Sequence, residues 1–483
     1  MRFSKFPVVA FCLLLAACSW IERGGDAAHP SVVRTMSVAD DPVSTPHVIY
    51  AAAHCYGAPS PDDRTPTMNV LALNRDGSKL SHLQSVKMPG KTLMPIVQRL
   101  NSAKTRLFST AGTNGIVVFE LDPSDQGKIV TSKPAVCSAV TPEALPTPYG
   151  VMPVDFALDP REEIAFSCNF LMGTISALSV NMDESTLSSA IVCAPADPRS
   201  PAGIPEKVRR IGPSKAAEAL GFPEGFPEDS LHPHGVVCDP TGKWLVMSCL
   251  GTNHLFVFSL PVGESFAAGK PDFLVDGTHP DDSNRHAGGG PRQLAFSSDG
   301  QTLYSVQELD HTVTAYSFDV ASGELAAVGR PQMTVPQAWL DSVPPLPHLY
   351  NAQPNYNSGI AISPDGKHVY TTGRGHDSVA GFEVSQSDGS LTPTAQGTVS
   401  SGGRTPWSLS FVSDSLLVVS NQYADDPTAR IGGGPGADPD RLAPAAKEPG
   451  NVMVFRRNPN DGSLAPTGAV WEAPHVLSVK AVR

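Results

Sequence analysis

The stretch Ser358-Gly-Ile-Ala-Ile-Ser-Pro-Asp-Gly-Lys-His-Val-Tyr-Thr371, followed by Val379-Ala-Gly-Phe382, decides the fold. Its first part contains two short apolar segments joined by a Pro-Asp-Gly turn, a pattern typical of a β-hairpin. A third apolar segment follows at Val379–Phe382, and the Asp388-Gly389 turn after it leads into a fourth. The stretch therefore predicts one four-stranded antiparallel sheet.

The same pattern recurs along the chain. Hairpins of this kind are found at Val154–Phe166, His234–Met247 and Arg292–Ser305. The third-strand segment can be recognised seven times, at Val70–Leu73, Ile116–Phe119, Ile175–Leu178, Leu255–Phe258, Val313–Tyr316, Val379–Phe382 and Val452–Phe455. Turns that lead into a fourth strand stand at Asp76-Gly77, Ser322-Gly323, Asp388-Gly389 and Asp461-Gly462. Seven repeats of four antiparallel strands predict an all-β protein, a seven-bladed β-propeller, because radial closure leaves few exposed sheet edges.

The two ends of the repeat region predict how the ring closes. Pro474–Val482 resembles the first strand of a blade, whereas Val48–Ala53 resembles a second strand that has no first strand before it. We therefore expect the C-terminal strand to pair into the N-terminal blade, so that residues 47–483 form one propeller.

Composition agrees with a turn-rich β protein and excludes one class of function. The 483 residues include 46 prolines and 42 glycines, which punctuate short strands better than long helices. Lys and Arg number 35 against 47 Asp and Glu, a formal net charge of −12. A protein that bound nucleic acid through its phosphates would need a basic surface, so we expect no nucleic-acid partner.

The N-terminus has the features of an export signal. Arg2 and Lys5 precede an apolar run that is too short to span a bilayer, so residues 1–17 are predicted to be a cleaved signal peptide. Leu15-Ala-Ala-Cys18 resembles a bacterial lipobox, which predicts a lipid anchor at Cys18 and a polar tether over residues 18–46. Ser19 favours the outer membrane, and a periplasmic or cell-surface lipoprotein is expected. Ordinary Ala-x-Ala-type cleavage nearby is the alternative.

Six cysteines follow the signal and the lipobox. They are Cys55, Cys137, Cys168, Cys193, Cys238 and Cys249. An even number outside the cytoplasm permits disulfides, but six cysteines allow fifteen pairings and the spacing favours none of them. The sequence contains no CxxC pair, which argues against a structural zinc site.

The irregular segments of the sequence are expected to gather on one face of the disc. In each blade the first strand runs from one face to the other and the second returns, so the short Asp-Gly turns lie opposite the start of the first strand. Binding and catalysis usually occur where long loops collect on a rigid scaffold. The segments predicted to open on that face are Cys55–Thr67, Ala194–Leu231, Pro261–Gly290, Arg330–Tyr356 and Tyr423–Gly450.

Polar residues at the inner rim of this face are the candidates for chemistry. Those near the start of a first strand are His234, Arg292, Asn357, Trp407 and His475, and those at the end of a second strand are Glu308 and Arg374. Two guanidinium groups suit a carboxylate or a phosphate, and their presence in an acidic protein points to an anionic ligand. A histidine and a glutamate beside them could act as general acid and base.

Structural roles remain open for the same residues. Glu308 could simply form a salt bridge with Arg292 or Arg374. His232 is as good a candidate as His234 for the residue that faces the funnel, and His475 and Trp407 have the character of packing residues. Asp310, His376 and Asp377 follow second strands, where turn formation is the expected role.

Four phrases in successive blades resemble the seven-bladed propeller lactonase family, which includes propeller-type 6-phosphogluconolactonases and fungal carboxy-muconate lactonizing enzymes. The phrases are His232–Gly242, Gly290–Phe296, Val306–Asp310 and Gly373–Ser378. The resemblance extends over the chain beyond the tether and is strongest from His232 to Phe455. It departs from the family at Gln293, where a histidine is common, and at Gln307 and Gly373, where asparagines are frequent.

This resemblance implies catalytic roles for His234, Arg292, Glu308 and Arg374. The two arginines would bind the substrate anion and stabilise the developing oxyanion, while Glu308 or His234 would move the proton. We expect substrate contacts from His232, Gln293, Asn357 and Trp407, and no metal or cofactor. The expected partner is a small anionic lactone or carboxylate, and the expected state is a monomer.

Two other functions are compatible with these residues. One is a lactonizing cycloisomerase, in which an internal carboxylate adds to an alkene. The other is a surface-anchored propeller without catalysis that binds a protein or a glycan through its loops, such as the glycine-rich segment Ile431–Asp438. A calcium-dependent six-bladed lactonase is disfavoured because seven third strands can be counted. We therefore interpret the sequence as that of an exported lactonase that acts on a sugar-acid or related lactone.

Overall fold

The computed structural model describes residues 46–54, 65–89, 95–111, 114–141, 151–170, 172–193, 232–250, 253–267, 272–276, 289–343, 354–424 and 449–483. These residues form seven antiparallel sheets, and the innermost strands of neighbouring sheets contact one another. The predicted seven-bladed β-propeller is confirmed. The signal, the lipobox at Cys18 and the tether lie outside the described residues, apart from Pro46.

The strands follow the chain blade by blade. Blade 1 contains β1 (His47–Ala53), β2 (Thr67–Leu73) and β3 (Leu80–Lys87); blade 2 contains β4 (Gln98–Leu100), β5 (Arg106–Thr110), β6 (Gly115–Asp122), β7 (Lys128–Ile129) and β8 (Val136–Ala139); blade 3 contains β9 (Pro153–Leu158), β10 (Ile164–Asn169), β11 (Thr174–Asn181) and β12 (Thr186–Cys193). Blade 4 contains β13 (Pro233–Cys238), β14 (Trp244–Cys249), β15 (His254–Ser259) and β16 (Phe273–Asp276); blade 5 contains β17 (Pro291–Phe296), β18 (Thr302–Gln307), β19 (Thr312–Phe318) and β20 (Leu325–Met333). Blade 6 contains β21 (Tyr356–Ile362), β22 (His368–Arg374), β23 (Ser378–Val384) and β24 (Leu391–Ser400); blade 7 contains β25 (Gly403–Phe411), β26 (Leu416–Ala424), β27 (Pro449–Arg457) and β28 (Leu464–Pro474).

The last strand, β29 (Val476–Ala481), closes the ring. It pairs antiparallel with β1, with Ile49 opposite Ala481 and Ala53 opposite Val476. β29 is therefore the innermost strand of blade 1, and the predicted closure between the two ends of the chain is confirmed.

Three details of the outer strands differ from the sequence prediction. In blade 2 the fourth strand is divided, because β7 and β8 both pair with β6. In blade 4 the fourth strand β16 lies inside Pro261–Gly290, the segment expected to follow it, and a helical turn α1 (Glu264–Ala267) precedes it. Blade 4 has no Asp-Gly or Ser-Gly turn before its fourth strand, so the signal that indicated this strand in blades 1, 5, 6 and 7 was missing there. β20 likewise extends to Met333, into Arg330–Tyr356, and a short helix α2 (Gln337–Ser342) follows it.

A repeated side-chain contact joins neighbouring blades. An aromatic residue of a second strand donates a hydrogen bond to a backbone carbonyl in the turn between the third and fourth strands of the next blade. The pairs are Tyr50 Oη to Gly127 at 2.7 Å, Trp244 Nε1 to Val320 at 2.9 Å, Tyr304 Oη to Gly389 at 3.1 Å and Tyr370 Oη to Gly462 at 2.7 Å. These bonds and the apolar side chains packed between the sheets form the rigid scaffold on which the inner strands are held.

The structure also bears on two properties read from the sequence. Cys137, Cys168 and Cys238 are free thiols, whereas Cys55 and the side chain of Cys193 lie outside the description. Among the described residues, no helix is both long and apolar enough to cross a bilayer.

Candidate active site

Irregularities in the inner strands create the site. In six of the seven innermost strands the pairing with the second strand shifts register near the start of the strand, and the shift leaves one or two residues without a direct partner. His234, Arg292 and Trp407 occupy such β-bulges in three different blades. A bulge turns its side chain away from the regular alternation of the strand. The three side chains are thereby directed to a common region, a feature that the sequence pattern did not reveal.

Four of the predicted residues meet in one buried cluster, which we call the quartet: His234, Arg292, Glu308 and Arg374. Arg292 Nε donates to Glu308 Oε2 at 3.1 Å, and Arg374 Nη2 donates to the other carboxylate oxygen, Oε1. His234 Nε2 lies 3.7 Å from Glu308 Oε2. None of the four is more than 2% exposed. Glu308, which directly follows β18, is thus the common neighbour of three residues from three different strands.

Backbone carbonyls hold the two guanidinium groups in place. Arg292 Nη1 donates to the carbonyl of Ser358 at 3.0 Å, and Arg374 Nε donates to that of Tyr356 at 3.2 Å. The indole ring of Trp407 lies beside both groups, 4.5 Å from Cζ of Arg374 and 5.7 Å from Cζ of Arg292. Trp407 is itself fixed, because its Nε1 donates to Gln422 Oε1 at 2.8 Å. Each cation is therefore stabilised by a carboxylate, a carbonyl and an aromatic ring.

His234 is the least constrained member of the quartet. Neither of its ring nitrogens forms a hydrogen bond with another described residue, although the ring packs edge-on against Phe170 with centroids 5.4 Å apart. Burial, together with the charges of Arg292 and Arg374, lowers the pKa of His234 well below its usual value of 6.5. The imidazole is consequently neutral at neutral pH and has a lone pair available to accept a proton.

The quartet carries a net positive charge. Burial and the neighbouring Arg374 lower the pKa of Arg292 to about 9, while Glu308 and Asp155 oppose the shift, so the guanidinium stays charged at neutral pH. Two guanidinium groups, one carboxylate and a neutral imidazole sum to one positive charge. Such a cluster, shielded from water, favours a group that gains one negative charge during a reaction.

The comparison with known proteins identifies the family. A family model described as "Lactonase, 7-bladed beta-propeller" matches residues 62–429. The chain belongs to the seven-bladed lactonase propeller family. It is 24% identical to 6-phosphogluconolactonase of Bacillus subtilis over 401 residues, which cover 82% of this chain and 90% of the relative.

Solved structures share the fold of this lactonase. A periplasmic gluconolactonase of Pseudomonas aeruginosa superposes with a TM-score of 0.62 at 17% identity, covering 90% of this chain and 99% of the other. A protein from Lactobacillus plantarum gives a TM-score of 0.59 at 19% identity, covering 91% and 100%. The protein is thus a lactonase-type hydrolase that resembles 6-phosphogluconolactonase.

The four residues expected to contact substrate have different surroundings in the lactonase. His232 packs against Phe170 with centroids 4.6 Å apart and the rings tilted by 33°, and burial lowers its pKa to about 4. Trp407 borders the quartet directly. Gln293 follows Arg292 in the chain but lines the central channel of the propeller.

Asn357, in contrast, is engaged within the protein. Its amide donates to the carbonyls of Gln307 at 2.8 Å and Thr312 at 3.3 Å, and its oxygen accepts from Thr334 and Asn355. All of its hydrogen-bonding groups are used, so the side chain ties blade 6 to blade 5 in this structure.

The residues expected to form turns or to pack lie at the edge of the site. Asp310 accepts from the backbone and hydroxyl of Thr312, as a turn residue does. Asp377 also reaches the next blade, since its Oδ1 accepts from the backbone N–H of Thr405 at 2.8 Å. His376 forms a hydrogen bond with Ser378 and packs against Trp339. His475, which directly precedes the inner strand of blade 1, packs against Tyr423 of blade 7.

Three residues near the quartet of the lactonase were not found from the sequence. Phe170 packs on His234, Tyr356 supplies a carbonyl to Arg374, and Asp155 lies close enough to influence Arg292. Asp155 accepts from Arg99 at 2.8 Å, and burial raises the pKa of its carboxyl group. The aligned repeats contained a signal for Asp155, because the corresponding positions are Gly235, Gln293 and Gly359 and only this one is charged.

Proposed function

We propose that this protein hydrolyses the lactone of a sugar acid or a related carboxylate, with the quartet as its active site. The observation that carries the proposal is the position of a neutral, unbonded imidazole at 3.7 Å from a carboxylate that two buried guanidinium groups hold. Membership of the family supports the reaction class, and the geometry of the quartet supports the roles proposed below for its residues.

The chemistry follows from the charges. His234, with Glu308 beside it, accepts the proton of the water molecule that attacks the lactone carbonyl. Arg292 and Arg374 stabilise the oxyanion that develops on that carbonyl oxygen, and Trp407 keeps water away from one side of both cations. His234 then returns the proton to the ring oxygen as the C–O bond breaks. His232 and Trp407 are proposed to position the substrate.

The test is acid release in a pH-stat from a panel of lactones: glucono-δ-lactone, 6-phosphogluconolactone and a muconolactone. We expect at least one to be hydrolysed by the purified protein and His234→Gln to lose about 100-fold or more of kcat/KM, the contribution typical of a general base. His82→Gln is the matched control, because His82 is exposed on an outer strand of blade 1. Failure to hydrolyse any lactone, or equal rates for the two variants, would contradict the proposal.

The same panel separates two alternatives. Conversion of the muconolactone into an unsaturated diacid, detected by the ultraviolet absorbance of the new alkene and without incorporation of oxygen from water, would indicate a lactonizing enzyme that uses the same residues. Inactivity towards every lactone would leave a propeller that binds a partner through its loops.

We further propose that the protein is exported and anchored through Cys18. Support comes from the lipobox Leu15–Cys18 and from the periplasmic gluconolactonase of Pseudomonas aeruginosa, which shares the fold. Labelling with radioactive palmitate in the native host, compared between wild type and Cys18→Ala, tests this proposal. Equal labelling of the two proteins would exclude a lipid anchor at Cys18.

A further inference from the structure

The axis of the propeller contains a cavity of about 500 Å³ that is separate from the quartet. Inner strands of all seven blades line it, and it reaches the face of the short turns, because Ser102 and Lys104 in the turn between β4 and β5 belong to its wall. No member of the quartet is among its lining residues. A cavity of this volume is large enough for a small organic ligand.

The charged side chains in the wall of this channel are mainly cationic. They are Arg99, Lys104, Lys480, Arg483 and Asp155. Asp155 is paired with Arg99 at 2.8 Å. Lys104, Lys480 and Arg483 form no salt bridge with any carboxylate of the described residues. The channel is thus positive in a protein whose net charge is −12.

Lys480 has the most unusual surroundings of these cations. It lies in β29, where burial and the neighbouring guanidinium groups of Arg99 and Arg483 lower its pKa to about 8. The side chain forms no ion pair or hydrogen bond with the described part of the chain. A partly desolvated ammonium group beside other cations costs free energy, and a bound anion would offset that cost.

An amide group in the wall is also available. Gln293, expected from the sequence to contact substrate, lines the same channel and is partly exposed. A primary amide both donates and accepts hydrogen bonds, so it suits a ligand that carries hydroxyl groups.

We propose that the central channel is a second binding site, which takes a small hydrophilic anion: a carboxylate or phosphate that carries hydroxyl groups. Lys480, with Arg99 and Lys104, binds the anionic group, and the amide of Gln293 binds the hydroxyls. The argument rests on the channel alone and does not depend on the hydrolytic role of the quartet.

The test is isothermal titration of the purified protein with sodium gluconate, inorganic phosphate and the neutral polyol sorbitol, at constant ionic strength. We expect gluconate to bind, sorbitol to bind much more weakly, and Lys480→Met to weaken gluconate binding by about 10-fold or more, as for loss of a charge-assisted hydrogen bond. Lys79→Met is the matched control, because Lys79 lies in a turn of blade 1 at the same face but outside the channel. We expect this variant to bind gluconate with the affinity of the wild type.

A second variant protects the test against misfolding. Lys104 is exposed, so Lys104→Met should fold normally and weaken gluconate binding several-fold. Wild-type affinity in both Lys480→Met and Lys104→Met would place the anion elsewhere, for example at Arg292 and Arg374, and would overturn the proposal. Absence of any gluconate or phosphate binding to the wild type would overturn it as well.

Discussion

Arg292 donates a hydrogen bond from Nε to Oε2 of Glu308 over 3.1 Å, and both side chains are almost completely excluded from solvent. Arg292 lies in the first strand of blade 5 and Glu308 directly follows the second, and the carboxylate also accepts from Arg374 in the next blade. An ion pair this deeply buried is a poor device for stability, because desolvation of the charges offsets most of their attraction. Its retention in the interior is better explained by a reaction that needs preorganised charge.

The first prediction concerns the charge of Glu308. Glu308→Gln keeps the shape of the side chain but leaves Arg292 and Arg374 without a counter-ion, so we expect kcat/KM to fall by about 100-fold or more and the melting temperature to drop, as when one partner of a buried ion pair is removed. Activity and thermal unfolding should be measured together, with activity assayed well below the new melting temperature. Glu383→Gln is the control, because Glu383 is exposed on β23. Full activity in Glu308→Gln would remove Glu308 from the site.

The second prediction is a pH dependence. The pKa of His234 is lowered well below 6.5 by burial and by Arg292 and Arg374, so its neutral form persists in mildly acidic solution. We expect kcat/KM to stay level as the pH falls through 6.5 and to decline only at lower pH, and His234→Gln to abolish that decline along with most of the rate. A rate that halves at or above pH 6.5 would mean that the base is another group.

The lowered pKa of His234 also makes the stability of the fold depend on pH. The folded state binds a proton at His234 less readily than the unfolded chain does. The contribution of neutral His234 to the free energy of unfolding is therefore complete above pH 6.5 and is lost as the pH falls below that value. His234→Gln should therefore reduce the acid sensitivity of the melting temperature. Parallel pH profiles of melting temperature for wild type and variant would contradict this linkage.

The third prediction tests how closely blades 4 and 5 approach. A Cβ atom on Gly235 would lie 2.1 Å from the carbonyl oxygen of Arg292, so Gly235→Ala must displace the bulge that carries Arg292. We expect this variant to lose both stability and activity, whereas Gly263→Ala, where a Cβ would meet nothing within 4 Å, should retain both. Thermal unfolding and the lactone assay check the pair. Wild-type behaviour of Gly235→Ala would show that the bulge has room to move.

Repetition explains what the sequence could predict. The third strand recurs in each blade, and the hairpin pattern and the turn residues recur in several, so the blade count and the ring closure follow from local chemistry repeated along the chain. The quartet could be placed on one face by the same reasoning, because strand direction alternates within a blade. The Asp-Gly or Ser-Gly signal is absent from blades 2, 3 and 4, and the fourth strands of blades 2 and 4 are among those that differ from the prediction.

The missing information concerns contacts between blades. Nothing in the local pattern distinguishes Arg292, whose side chain turns into the quartet at a bulge, from Gln293, which faces the channel. Asn357 lies at the same rim as the quartet, yet its amide nitrogen donates hydrogen bonds to two carbonyls of blade 5. The direction of a side chain at a bulge depends on the neighbouring blade, and that neighbour is distant in sequence for every residue of the quartet.

The last prediction concerns the closure of the ring. β29 supplies the inner strand of blade 1, and Val476, Leu477, Val479 and Ala481 on it are at most 4% exposed. Deletion of residues 474–483 removes these buried contacts and exposes the edge of β1, which would favour aggregation. We expect the truncated protein to be insoluble or to lose its cooperative unfolding transition, while deletion of Arg483 alone should leave the transition intact. Melting curves recorded by circular dichroism test this prediction. An unchanged curve for the deletion of residues 474–483 would mean that blade 1 folds without its C-terminal strand.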